Sequence, residues 1–263
     1  MQFHLMARPR RWWVPPIEAI ILAALFLGLT IVAVVVLLAL GGEESEAFDV
    51  FVMALILPVP FLAAWLTRRD PTQLLSVERR TRWPLVARSA LVAVPMALLV
   101  FAYEMRAGGE AVFTTETIVL ACLFVLVTPL QAASEELLFR AALPQIAGSW
   151  VRSPWVAYGL AILPFVYFHY YNWIGLIDIF IFAACMSFLT WRTGGVEAAI
   201  ALHAANNIGV FAAGAFFPDR VPAVDIDWPT AAFYISVIVT ATALTGWLLT
   251  RRDSPSPAQP PLP

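Results

Sequence analysis

The sequence predicts an all-α polytopic membrane protein with about eight transmembrane helices. Three observations carry this. The 263-residue chain is 61% hydrophobic and only 13% charged. Its mean hydropathy is +0.80, outside the range of soluble domains. Apolar runs near or above the spanning length of roughly 17 to 25 residues recur along it.

In order, these runs cover residues 17–40, 48–66, 85–103, 116–143, 155–171, 173–191, 194–217 and 229–250. The first, Ile17 to Leu40, follows the basic stretch Arg8 to Arg11 but is too long for the apolar region of a cleaved signal peptide, so a retained first span is expected. Between the second and third, Thr67 to Arg88 mixes arginines with Leu74, Leu75, Val77 and Trp83. Two readings fit it, a helix lying at the membrane interface or a solvated basic loop. Gly148 to Pro154 marks the turn between the fourth and fifth runs, and Gly194-Gly195 precedes the seventh. No internal repeat and no separate soluble domain are visible, so residues 1–250 are expected to form a single membrane domain. The tail 251–263, rich in proline, is expected to be a disordered cytoplasmic segment.

The net charge is −2 and the chain has no lysine; bulk charge therefore points to no nucleic-acid partner. The distribution of arginine says more. Arg8, Arg10, Arg11, Arg68, Arg69, Arg79, Arg80, Arg82, Arg88, Arg152, Arg192, Arg251 and Arg252 fall on one side of an eight-span topology. The alternate loops hold Glu43, Glu44, Glu46, Asp49, Glu104, Glu110, Asp219, Asp225 and Asp227, with Arg106 and Arg220 as basic exceptions. The positive-inside rule then puts both termini in the cytoplasm. The lysine-free, arginine- and alanine-rich composition suggests a GC-rich bacterial genome and a bacterial cytoplasmic membrane. Cys122 and Cys185 each lie within an apolar run and are expected to be buried thiols, with no disulfide framework and no cysteine metal site.

Three polar clusters interrupt the hydrocarbon: Glu135-Glu136 with Arg140, Phe165 with His169, and His203 with Asn207. A charged side chain at the bilayer centre costs on the order of 2.5 to 3.5 kcal/mol even on the mildest scale, which makes such residues functional candidates. On a helix, Glu136 and Arg140 are neighbours, with the acid preceding the base by four, the favoured order for an ion pair. Glu135 points elsewhere and is left without a cation on its own helix, as a general base or proton carrier requires. Phe165 with His169 and His203 with Asn207 each share a helix face at the same spacing. Residues 135 and 169 are equally far from the turn near Arg152, which places them at similar depth in an antiparallel hairpin. His203 lies about 14 Å beyond the Gly194-Gly195 turn at 1.5 Å per residue, so tilt or kinking must bring it level. Pro129, Pro144 and Pro164 are candidate kink sites. Asp178 and Glu197 are further acids within or at the border of spans; a direct chemical role is the less favoured reading for each.

In order and helical placement these residues resemble the EExxxR, FxxxH and HxxxN motifs of the CAAX-protease and bacteriocin-processing family, the intramembrane endopeptidases similar to type II CAAX prenyl endopeptidases. The resemblance covers about residues 110–215. It implies peptide-bond hydrolysis in a membrane cavity open to the cytoplasm. Glu135 would activate water as general base and His169 would assist in positioning or proton transfer. His203 and Asn207 would donate to the oxyanion, with Glu136 and Arg140 as a supporting ion pair and Phe165 lining the cavity. The metal stays open: His169, His203 and Glu135 make a possible three-ligand zinc set, whereas HExxH is absent and Asn207 suits hydrogen bonding better than ligation.

The implied partners are the lipid bilayer and a membrane-associated peptide or protein substrate, with an unprenylated one favoured by the bacterial composition. Two other classes compete. A non-catalytic membrane binding or immunity protein would use the same cavity to hold a peptide, and a proton-coupled transporter would use the carboxylates and histidines as a relay.

Overall fold

The computed structural model describes residues 2–8, 11–42, 45–220 and 224–250. Arg10, Glu43, Glu44, Arg251, Arg252 and the proline-rich tail lie outside the described residues. Among those described there is no strand, and the eight apolar runs all become helical. The helices are α1 (Val14–Ala39), α2 (Glu46–Leu55), α3 (Val59–Leu66), α4 (Trp83–Ala107), α5 (Thr115–Glu136), α6 (Leu143–Gly148), α7 (Pro154–Tyr167), α8 (Trp173–Thr193), α9 (Glu197–Gly214) and α10 (Trp228–Thr250).

Six segments are long and apolar enough to cross a membrane: α1, α2 with α3, α4, α5 through α6, α8 and α10. The protein is an integral membrane protein. Helix α7 is apolar but short. Helix α9, which carries Glu197, His203 and Asn207, packs against α4, α5, α8 and α10. Its surroundings are mainly protein, so its sequence need not satisfy lipid. Small residues let it sit there. A Cβ at Gly209 would come within 2.9 Å of the Ala97 carbonyl and closer still to Val100, so glycine sets the approach of α4 to α9.

Helix ends follow local chemistry. Ser45 caps α2 through the Phe48 N–H at 3.2 Å, and Thr114 with Thr117 forms a reciprocal capping box on α5. Asn172 accepts the Gly175 N–H at 2.9 Å, and Gly194 ends α8 at φ +69°, in the left-handed region. The expected single span 48–66 is two helices, because Pro58 and Pro60 interrupt the hydrogen-bond ladder. Ser134 of α5 donates to the Met53 carbonyl across this break at 2.6 Å, the side-chain compensation that lipid surroundings demand.

Thr67 to Arg82 is neither an interfacial helix nor a solvated loop. It makes a short 3₁₀ turn, Pro71–Leu74, with Leu74 and Ser76 buried, and docks on the α8–α9 turn. There the Val77 N–H donates to Gly194 at 2.8 Å and the Val196 N–H to Leu75 at 3.1 Å. Cys122 corrects an expectation. It is exposed on the outside of the bundle, and Cys185 is half-buried, because an apolar residue on a membrane helix is as well accommodated by lipid as by a core.

Candidate active site

The three motifs meet where α5, α7 and α9 face one another. Helix α5 does not continue as a regular helix past Glu136: residues Leu137–Ala142 form a wide π-helical turn before α6. Pro144 has no N–H for the carbonyl four residues back, that of Arg140, and π turns of this kind concentrate at functional sites. Pro129 and Pro164 are housed within α5 and α7, and α7 ends three residues after Pro164.

Glu136 and Arg140 form the ion pair expected from their spacing, Nη1 to Oε1 at 3.1 Å, with 0% and 1% of their side chains exposed. The Arg140 guanidinium also lies over the Phe165 ring, 4.0 Å from its centroid. A second contact of Glu136 was not legible in sequence. Its Oε1 is 2.7 Å from Nδ1 of His203. A carboxylate only accepts, so Nδ1 carries the proton there. Nε2 is thereby turned to Glu135, 3.7 Å from its Oε2. His203 reaches that level on an unbroken α9.

Glu135 is 15% exposed. Its other oxygen accepts from Nε2 of Gln131 at 2.6 Å. Gln131 Oε1 in turn accepts from Nδ2 of Asn207 at 3.1 Å, and Asn207 Oδ1 accepts from Asn206 at 3.2 Å. The amide orientations are mutually forced, because the carboxylate at one end of the chain can only accept. Gln131 was missed in the sequence, although it precedes Glu135 by four and so shares its helix face.

His169 lies just past the end of α7. Its Nδ1 donates to the Phe165 carbonyl at 2.7 Å, leaving Nε2 as the acceptor of the neutral ring. The ring packs on Phe165 with centroids 4.7 Å apart. Glu135, His169, His203 and Asn207 line one cavity of about 730 Å³. Asp178 also lines it. Glu197 does not; it accepts the Arg82 fork at 2.8 and 2.7 Å at the start of α9.

The cavity's outer part is formed by Glu46, Glu104, Tyr171, Arg220, Asp225 and Asp227. These belong to the helix ends opposite the arginine-rich loops. A cavity open to the cytoplasm and cytoplasmic arginine-rich loops, both expected above, therefore cannot hold together. At this mouth Asp227 caps α10 by accepting the Thr230 N–H at 2.9 Å. Hydrogen bonding from Thr230 holds its carboxyl below the usual carboxylate range.

Among the described residues no three His, Cys, Asp or Glu side chains converge as a metal site would require. Nδ1 of His203 is engaged by Glu136 and Nδ1 of His169 by the Phe165 carbonyl, which leaves Nε2 as the remaining ring nitrogen of each.

Residues 114–209 match the family model described as type II CAAX prenyl endopeptidase Rce1-like. The matched segment runs from the α5 cap into α9 and contains all seven residues of the three motifs. Over this stretch the chain is similar to that protease family. No curated protein and no solved structure matches the chain.

Proposed function

We propose that this Rce1-like domain hydrolyses a peptide bond of a membrane-associated peptide or protein, with Glu135 activating the attacking water. The observation that carries the reading is the divided environment of the Glu135 carboxylate. Gln131 occupies one oxygen, while the other faces Nε2 of His203 at 3.7 Å. That separation is too long for a direct hydrogen bond and suits a water bonded to both groups.

In this mechanism Glu135 takes a proton from the water as its oxygen attacks the substrate carbonyl, and later returns it to the departing amine. The developing oxyanion needs fixed donors. Asn207 keeps one amide hydrogen on Gln131 and has a second to give. His203 donates from Nε2 in its doubly protonated form, with the ring held in place by the Glu136 carboxylate on Nδ1. Glu136 then orients His203 as well as pairing with Arg140. His169, with its Nε2 lone pair in the same cavity, assists in positioning or proton transfer. No step uses a metal.

The test is kinetic, on protein in native-like membranes with a peptide it cleaves. His203→Ala and Asn207→Ala should each lower kcat by roughly 10² to 10³, the value of a lost oxyanion donor, and His169→Ala should also slow turnover. Wild-type rates in both of the first two variants would sink the oxyanion assignment.

A further inference from the structure

The cavity is closed toward the arginine-rich end of the bundle by buried polar ties. Arg69 pairs with Glu18 at 2.6 Å and also bonds Gln145. Arg82 forks onto Glu197 and donates to the Thr193 carbonyl at 2.7 Å. The loop carrying Ser76 is bridged to Gly195 beneath α9. Between these ties and Glu135 lie the buried Glu136–Arg140 pair and the side chains of the π turn. From Glu135 the cavity instead runs along α9 past Asn207, Val210 and Gly214, to the turns before α8 and α10.

Two further facts bear on what enters. Arginines at the closed end include Arg79, Arg80, Arg152 and Arg192, whereas the open end holds Arg106 and Arg220. Arg220 is committed to Glu104 at 2.7 Å, and Tyr234 bonds the same carboxylate. The remaining mouth is rich in carboxylates, with Glu46, Asp49, Asp225 and Asp227 lining the cavity. Arginine-rich ends of membrane helices face the cytoplasm.

We propose that the site is reached from the non-cytoplasmic side of the membrane and takes a polypeptide segment bearing basic residues. This rests on the endopeptidase reading for what happens to the segment, but not for where it enters. Charge complementarity selects the occupant: a lysine or arginine side chain in the mouth meets several carboxylates and one neutralised arginine. The attraction is electrostatic, so it weakens with salt.

Access is tested by labelling. In a Cys122→Ala/Cys185→Ala background, a single cysteine is placed at the mouth (Asp225→Cys) or at the closed end (Glu78→Cys), both exposed positions. A membrane-impermeant maleimide is added to right-side-out and inside-out vesicles of the expression host. The expected result is labelling of Asp225→Cys in right-side-out vesicles and of Glu78→Cys in inside-out ones; the reverse pattern overturns the proposal. The occupant is tested on the Glu135→Gln protein in phosphatidylcholine vesicles, whose neutral surface does not itself hold cations. A fluorescent peptide with lysines and arginines should bind about tenfold more tightly than its glutamine-substituted counterpart, with the gap closing at high salt. Equal affinities overturn the basic-segment assignment. Neither measurement depends on turnover, so Glu135→Gln that still cleaves would strike the endopeptidase reading and leave the labelling result standing.

Discussion

Arg140→Met removes the only guanidinium beside the buried Glu136 among the described residues. With side-chain exposures of 1% and 0%, water cannot replace the lost partner. Breaking a buried pair on one side costs about 3 to 5 kcal/mol, most of it for the charge left behind. The contact of Arg140 with the Phe165 ring, 4.0 Å from its centroid, adds a smaller loss of up to about 2 kcal/mol. At about 2 to 4 °C per kcal/mol for a chain of this size, the variant should melt roughly 6 to 28 °C below wild type. Glu136→Gln alone should also destabilise, by stranding Arg140. The double variant Arg140→Met/Glu136→Gln has no stranded charge and should be more stable than the sum of the two losses predicts, by more than about 1 kcal/mol. Thermal unfolding of all four proteins in one detergent, followed by tryptophan fluorescence, completes the cycle. An Arg140→Met cost below about 1 kcal/mol, or strict additivity in the double variant, would refute the description of this pair as a buried charge couple.

Gln131→Leu removes the hydrogen bond that holds Glu135 and the acceptor that orients Asn207. A bond to a charged group is worth about 1.5 to 3 kcal/mol, so kcat should fall by about ten- to a hundredfold with KM little changed; a change confined to KM would contradict the positioning role. His4 gives a pH dependence. It is fully buried and donates from Nε2 to the Arg152 carbonyl at 3.0 Å. Burial pushes its pKa below the ordinary value of 6.5. The stability it contributes is therefore fully present above pH of about 6.5 and is lost as pH falls through the lower folded value. Proteolysis of the N-terminal segment should accelerate on acidification below that point and lose its pH dependence in His4→Phe; identical profiles for the two proteins would refute it.

What the sequence made legible was local. Helix content followed from apolar run length, and the Glu136–Arg140 pair from a spacing of four on one helix. Gln131 was equally local, four before Glu135, and escaped notice because an amide carries no charge to draw attention. The contact of Glu136 with His203 joins residues far apart in the chain, and no periodicity reports on it. The same holds for Glu18, Arg69 and Gln145, whose buried cluster closes the arginine-rich end. The π turn arises from the conflict between Pro144 and the helical ladder, which a proline signals without saying how it is resolved. Exposure of Cys122 was invisible because hydrophobicity in a membrane chain does not separate core from lipid. The side on which the cavity opens depended on which helix ends remain unfilled, a property of packing.

The central claim is that the Glu135 carboxylate activates water for peptide-bond hydrolysis. Its most direct test compares membranes containing wild type or Glu135→Gln, by mass spectrometry of a membrane-associated basic peptide presented at the mouth. The account predicts two fragments whose masses sum to the peptide plus one water with wild type. It predicts intact peptide with Glu135→Gln, at unchanged melting temperature. Cleavage by Glu135→Gln at near the wild-type rate would contradict it. So would wild-type protein that binds the peptide and leaves it whole, the behaviour of a binding protein rather than an endopeptidase.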